Sequence, residues 1–270
     1  MRCAGSAVTL PRLGKITTHE STRKLARRLG NGTARILSAT VSRTAERWHV
    51  SFQVEVQRTI PAHHPRPGSA IGVDLGVTTL LTGMDDRGRG VTVPGPRALK
   101  TSLRRLRRAS RPHSRKAQGS ANRRRATARL ARMHARVANV RTDALHQATS
   151  SLAARYQTIV VEDLNVTGML ANRRLARAVA DQGFATARRM LGYKTMWNRG
   201  WLITADRWYP SSKTCSECGW RKPSLRLSER TFRCSACGFC CRPGRQRRCQ
   251  PAQARYRYRQ WGGNRSRHGT

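Results

Sequence analysis

AIGVDLGVTTLLTGMD, residues 70–85, decides the architecture. Apolar residues run through Val73, an acid follows at Asp74, and Gly76 interrupts before a second apolar stretch that ends at Asp85. Runs of this length around a turn residue predict a buried strand, a tight turn and a second strand. VTVPG (91–95) supplies a third strand, and PGPR (94–97) ends the sheet. TIVVEDL (158–164) is a further short apolar strand that ends in acids, and WLITADRWY (201–209) is another. Residues 97–153 lack strand alternation and are rich in Arg, Ala and Leu; they predict helices over 97–110 and 121–153, split by RPHSRKAQGS. NRRLARAVADQGFATARRMLGYKTMWNRG (172–200) reads as helix with Gly200 as its C-cap. Three strands, helices, strand, helix, strand is the order of an α/β sheet with helices on its faces.

Upstream, RILSATVSRTAERWHVSFQVEVQ (35–57) alternates through Trp48, Val50, Phe52, Val54 and Val56. It predicts a hairpin that turns around Arg43-Thr44-Ala45-Glu46. One hairpin is not a stable domain, so residues 1–62 read as the end of a larger β-domain. HHPRPGS (63–69) is a linker by its Pro, Gly and Ser content.

The formal net charge is +41, from 54 Lys and Arg against 13 Asp and Glu. A compact domain with that charge repels itself unless an anion neutralises it. Nucleic acid is the natural counter-charge, because its phosphates attract basic surfaces whatever the sequence. In the second helix Arg123, Arg124, Arg125, Arg129, Arg132 and Arg136 surround an apolar line of Leu130, Met133 and Val137. The bland reading of such a face is solvation; its near lack of acids favours nucleic-acid contact. His134 and His146 on the same helix read as solvated or packed rather than as ligands. The opening MRCAGSAVTLPRLG carries no apolar signal-peptide core, and no apolar run approaches membrane-spanning length. The expectation is a cytoplasmic, nucleoid-associated protein with no membrane partner.

Seven of the eight cysteines lie between Cys215 and Cys249. Cys215, Cys218, Cys234 and Cys237 form two C-x2-C pairs separated by fifteen residues, the spacing of a four-cysteine zinc site. Each pair turns two thiolates toward one centre, and two pairs complete a tetrahedron. Gly219 and Gly238 follow the second cysteine of each pair, where a tight turn is easiest for glycine. With four protein ligands the site is closed and structural. A redox pair or buried free thiols would not need the doubled spacing.

Asp74 ends one apolar strand and Glu162 another. Acids at the ends of buried strands are costly unless they are paired or bound to metal. Two of them on adjacent strands could hold Mg²⁺, the arrangement for metal-assisted phosphodiester hydrolysis. The competing reading is that each merely caps its strand. Asp163 should point to the opposite side of the strand.

IGVDLG, the basic stretch GSANRRRATARLARMHARVANVRTDALH, VVEDLNVTGM, and DRWYPSSKTCSECG with a second CxxC together resemble the TnpB (OrfB-type) family of transposon-encoded, zinc-ribbon proteins. These are similar to the nuclease half of type V CRISPR effectors. The resemblance covers roughly residues 8–239. It implies a RuvC-like (RNase H-like) nuclease domain over 70–210 with a basic helical insert at 97–153. It also implies an inserted zinc ribbon over 211–239, and a partial β-barrel remnant before the nuclease domain, in residues 1–62. The implied activity is RNA-guided, Mg²⁺-dependent DNA cleavage with a guide RNA from the transposon end. Asp74 and Glu162 match the first and second catalytic acids.

The family carries a third acid just after the second CxxC, in a D-x-[DN]-x-N-A-A pattern. Here the last acidic residue is Glu229. Asp206 lies in the strand before the ribbon and is not that residue. Cys240–Pro251, CCRPGRQRRCQP, can be written in permitted codons that read VADRDVNAAVNL one base over. The shifted first base is the fixed second base of each original codon, so Gln246 and Gln250 must supply the opening A of both Asn codons. The reading is therefore of a frameshifted tail over 240–270, in which Cys240, Cys241 and Cys249 are not extra ligands. The rival reading is a basic disordered tail that binds nucleic acid. The functional expectation is a TnpB-family protein impaired in catalysis. The alternatives are a catalytically dead DNA- or RNA-binding zinc-ribbon protein and a pseudogene product that folds poorly. Trp208 and Tyr209 could stack on bases, although packing beside the ribbon is the simpler role.

Overall fold

The computed structural model describes residues 1–57, 59, 61–205, 213–215, 217–224, 229 and 231–241. They divide into two compact units: Met1–Ile60 with Arg108–Ala135, and Pro61–Arg107 with the chain from Arg136 onward.

In the first unit β1 (Arg2–Ala4), β2 (Ala7–Leu10) and β3 (Gly14–Thr17) form a three-stranded antiparallel sheet. Helix α1 (Arg23–Gly30) follows, its entry tied down where the Thr22 hydroxyl donates to the Gly5 carbonyl at 2.9 Å. β4 (Ala34–Thr44) and β5 (Arg47–Val56) are the expected hairpin, with Thr44 opposite Arg47 across a two-residue turn. Both turn residues are left-handed, Ala45 at φ 49° and Glu46 at φ 65°. That geometry matches the twist of the strands but suits Asn-Gly better than Ala-Glu. The Arg43–Glu46 ion pair, and Arg43 lying 5.6 Å over the Trp48 ring, brace it. Residues 1–57 thus carry two separate small sheets.

The second unit is built on a five-stranded sheet of β6 (Ala70–Leu75), β7 (Thr79–Asp85), β8 (Gly90–Pro94), β9 (Thr158–Glu162) and β10 (Trp201–Ala205). In space the order is β8-β7-β6-β9-β10. The first three strands are antiparallel neighbours, and β9 and β10 run parallel to β6. Helices α2 (Ala98–Ser114) and α3 (Ala121–Arg155) lie in sequence between β8 and β9. α4 (Val166–Ala171), α5 (Ala176–Gln182) and α6 (Phe184–Trp197) lie between β9 and β10. Alternation sends Ile71, Val73, Ile159 and Val161 to one face, where they pack on Leu145, Ala148 and Leu152 of α3 and on Ala187, Met190 and Leu191 of α6. Gly83 is required there, since a Cβ would sit 2.8 Å from Ile71 Cδ1. The mixed α/β order expected from the sequence is therefore present.

Three details differ from expectation. α2 continues past Pro112 and ends two residues later at Ser114, although the proline lacks the N–H that would donate to Arg108. The single helix expected over 172–200 is two helices, broken at Gly183 in the left-handed conformation (φ 70°). Gly200 is not a C-cap: α6 ends at Trp197, Asn198 caps it and Arg199 takes the left-handed φ of 56°. Gly200 is needed for close approach instead, since a Cβ would lie 2.5 Å from the Gln157 carbonyl oxygen. Of the strand expected over 201–209, β10 covers Trp201–Ala205; Asp206, Trp208 and Tyr209 lie outside the described residues.

Two buried polar groups lock the helices. Lys194 of α6 donates to the His146 carbonyl and to the Thr149 and Ser150 hydroxyls of α3, each at 2.8 Å. Three donors thus meet three acceptors, and burial lowers the lysine pKa. Asp181 of α5 is 5% exposed, and its carboxylate accepts the backbone N–H of Leu99 at 2.8 Å and of Lys100 at 3.0 Å. The first turn of α2 has no acid of its own, so Asp181 caps it from a distance. Asp181→Ala should cost about 2 kcal/mol. The melting temperature of the purified chain should fall by roughly 5 °C, and Asp181→Asn should recover part of the loss.

Candidate functional site

The register of β6 on β9 runs Ala70↔Thr158 to Val73↔Val161. One step further lie Asp74 and Glu162, at the ends of neighbouring parallel strands about 4.8 Å apart. Because Val73 and Val161 face the α3/α6 core, alternation turns Asp74 and Glu162 to the opposite face together. Both are half-buried. Asp74 lies opposite Thr82 on β7, and Glu162 opposite Ala205 on β10. Asp163 turns the other way, as its alternation requires, and pairs with Arg188 of α6 at 2.8 Å.

The four cysteines meet. The Sγ atoms of Cys215, Cys218, Cys234 and Cys237 all lie within 4.8 Å of one another. Cys215 and Cys237 are 3.6 Å apart, and Cys218 and Cys234 3.5 Å. A disulfide is about 2.05 Å long, whereas a tetrahedron with metal–sulfur bonds of about 2.3 Å has edges of about 3.8 Å. The cluster fits a zinc-sized ion. Two matching knuckles build it. In the first, Cys215 N–H donates to the Trp220 carbonyl (2.7 Å) and Gly219 N–H to the Cys215 carbonyl (3.0 Å). In the second, Cys234 N–H donates to Phe239 (2.8 Å) and Gly238 N–H to Cys234 (3.1 Å). Gly219 and Gly238 have φ of 78° and 72°, which explains glycine at both places. β11 (Phe232–Arg233) and β12 (Cys240–Cys241) close the second knuckle, and Phe232, fully buried, packs with Cys215 and Cys234. Cys240 is exposed and outside the cluster; Cys249 lies outside the described residues.

The thiols are unequal. Burial alone would push Cys234 up, but the backbone N–H groups of Cys237 and Ala236 and two neighbouring thiols bring it to about 7. On Cys237 the Phe239 N–H favours the thiolate, yet burial and three neighbouring thiols push it up to about 12.

The six arginines of α3 also divide. Arg123 donates to the Lys116 carbonyl (2.8 Å) and Arg124 to the Gly119 carbonyl (3.2 Å), so these two fasten the loop before the helix. Arg125, Arg129, Arg132 and Arg136 are exposed at steps of four, three and four residues. That spacing is one stripe about 16 Å long on a single helix face. His134 and His146 are exposed and belong to no metal-ligating group among the described residues.

Residues 51–173 match the OrfB_IS605 family, described as "Probable transposase", and residues 184–242 match the "Cas12f1-like, TNB domain". The chain therefore carries an OrfB_IS605 region followed by a Cas12f1-like TNB region. It is 44% identical over 218 residues to a Mycobacterium tuberculosis (strain H37Rv) protein, covering 78% of this chain and 47% of the relative. It is 42% identical over 202 residues to a Streptomyces pristinaespiralis protein (74% and 48%). To InsQ of Escherichia coli K12 it is 30% identical over 249 residues (87% and 58%). All three bear the name "Putative RNA-guided DNA endonuclease". The chain spans about half the length of the curated relatives it matches. Among solved structures, the Cas12f1–sgRNA–target DNA complex is similar at a TM-score of 0.49 and 14% identity, covering 80% of this chain and 55% of that one. A CRISPR–Cas12f ternary complex gives the same score and identity, covering 91% and 50%. No helix among the described residues is long and apolar enough to cross a membrane.

Proposed function

We propose that the second unit is a RuvC-like, RNase H-like nuclease domain of the TnpB type, acting on DNA under the direction of a guide RNA. The observation that carries this reading is the pair Asp74 and Glu162, side by side at the ends of β6 and β9 in a sheet ordered β8-β7-β6-β9-β10. Hard divalent cations take carboxylate oxygens. Mg²⁺ held by Asp74 and Glu162 supplies an activated water and charge neutralisation at the leaving oxygen. Zinc in the four-cysteine cluster has a structural role, because all four positions are filled by the chain. Residues 70–210 form the nuclease domain, with 97–153 as its basic insert, 211–239 as the ribbon and 1–62 as the β-rich segment before it. The exposed stripe Arg125, Arg129, Arg132 and Arg136 contacts nucleic-acid phosphates. Such a protein works in the cytoplasm, at the nucleoid.

A second reading rests on one observation: no Asp or Glu follows Glu229. The chain then binds nucleic acid through the arginines and the ribbon without cutting it. The tail after Phe239 is read as frameshifted because CCRPGRQRRCQP can encode VADRDVNAAVNL one base over. The segment from residue 242 lies outside the described residues. A cleavage assay with guide RNA, target DNA and Mg²⁺ separates the readings. Salt-dependent binding without cleavage is the result for the impaired or binding-only chain. Cleavage that survives Asp74→Ala would place the chemistry elsewhere and end the carboxylate proposal.

A further inference from the structure

The linker HHPRPGS, the turn DDRGRG (85–90) and the end of α3 all reach the pole of the sheet opposite Asp74 and Glu162. There they enclose a cavity of about 490 Å³. Arg66, Arg87, Arg89 and Arg155 line it with Tyr156 and Asp86. Ala70, at this pole, is four residues from Asp74, about 13 Å along the strand, so the cavity is separate from the carboxylate edge.

Its walls are fixed by hydrogen bonds. His64 is 2% exposed. Its Nδ1 accepts the Arg66 N–H at 3.0 Å, which leaves Nε2 to donate to the Ala153 carbonyl at 3.1 Å. The Ser69 hydroxyl donates to the Arg66 carbonyl (2.6 Å) and accepts the Gln157 N–H (3.0 Å), while Gln157 Oε1 accepts the Gly68 N–H (2.7 Å). On the other wall the Asp85 carboxylate accepts the N–H of Arg87 (3.0 Å) and Arg89 (2.8 Å) and the Arg89 Nε–H (2.7 Å). Burial alone would raise the Asp85 pKa, but these donors hold it below its usual 3.8. Burial, and then the Asp85 charge, push the Tyr156 hydroxyl above its usual value, so it stays a neutral donor.

Asp85 therefore occupies Arg89. The guanidiniums of Arg66, Arg87 and Arg155 have no ion-pair partner among the described residues. Planar forks with an excess of positive charge match a phosphate, which they can grip two oxygens at a time. The lining is more polar than apolar and carries several guanidiniums, so a ligand would be held chiefly by its phosphate.

We propose that this cavity is a phosphate site that anchors one backbone phosphate of a nucleic-acid strand, through Arg66, Arg87, Arg155 and the Tyr156 hydroxyl. It is a binding site away from the cleavage centre and stands whether or not the chain cuts.

The test is binding of a fluorescent single-stranded oligonucleotide to the full chain over a salt series, without Mg²⁺. Arg66→Ala/Arg155→Ala should weaken binding about tenfold near 0.1 M salt and reduce the slope of log K against log salt by about 0.7. Arg66→Lys/Arg155→Lys should keep the slope and recover only part of the affinity, since an ammonium lacks the fork. Arg87→Ala probes the same cavity from the opposite wall and should also weaken binding. Unchanged affinity and slope in the double alanine variant and in Arg87→Ala, with melting temperatures like the parent, overturns the proposal. Inorganic phosphate at constant ionic strength separates the two sources of the same chemistry. If it raises the melting temperature of the parent but not of the double variant, while oligonucleotide binding is equal in both, the site serves free phosphate and the strand assignment fails.

Discussion

Cys215→Ser will abolish stoichiometric zinc binding and unfold the ribbon while leaving the five-stranded sheet intact. Among the described residues the ribbon's core is Cys215, Phe232 and Cys234, with Trp220 and Phe239 only partly covered. A core that small cannot offset the conformational entropy of ordering the segment. The remainder must come from the metal, whose apparent binding free energy in small four-ligand modules is about 10–16 kcal/mol near neutral pH. Cys215 itself is fully buried, so a serine there would place an unpaired hydroxyl beside three thiols. Metal analysis of the purified chain should give one zinc in the parent and almost none in the variant. Limited proteolysis should release the ribbon first, with the thermal transition of the sheet retained. Zinc content that survives the substitution would rule out this site. Acid should mimic the variant. Zinc must displace the thiol protons, including the one on Cys237 held to about 12, so affinity falls as pH drops.

Restoring a third carboxylate should produce the largest gain of activity. Replacing CCRPGRQRRCQP (residues 240–251) with VADRDVNAAVNL reinstates the acidic motif expected one base out of frame. Asp74 and Glu162 alone are two ligands for a site whose chemistry needs charge at both the attacking and the leaving oxygen. A further carboxylate that fixes the metals should contribute several kcal/mol of transition-state stabilisation, or about a thousandfold in rate. β12 tolerates the exchange: Cys240 and Cys241 are paired by backbone to Arg233 and Phe232, and the new Val and Ala keep those bonds. Guide-dependent cleavage should appear in the rebuilt chain and vanish again with Asp74→Ala. If the rebuilt chain binds normally and cuts nothing, the binding-only reading stands. The coding DNA gives an independent check, since codons that cannot yield DRDVNAA one base over exclude the frameshift.

Most of the sheet was legible because its strands are short apolar runs with clear punctuation. β6, β7, β9 and the β4–β5 hairpin lie where alternation places them, and this brings Asp74 and Glu162 together. The zinc cysteines were legible because knuckle geometry depends only on local spacing. The break at Gly183 was not, because the Ala- and Arg-rich pattern continues through it and one glycine inside a helical run is usually tolerated. Gly200 was misread because its role depends on Gln157, a residue of another segment. Asp181, Lys194 and His64 were invisible for the same reason. Apart from Arg66 beside His64, the partners named for them lie 44 to 89 residues away, beyond any local pattern. The basic helix was legible as a composition but not as a division of labour; only coordinates separate Arg123 and Arg124, which fasten a loop, from the outward stripe.

The Asp181 cap has a consequence for how this chain meets an anion. The start of a helix is a ready receptor for phosphate, because its free N–H groups and dipole end point at the ligand. In α2 that receptor is already filled from within: both oxygens of Asp181 are spent on Leu99 and Lys100. A nucleic acid arriving at the start of α2 finds these two N–H groups already taken. Its attraction must come from side-chain guanidiniums, which act over a distance and are screened by salt. Contact through α2 should therefore be long-ranged, tolerant of sequence and quickly released as ionic strength rises.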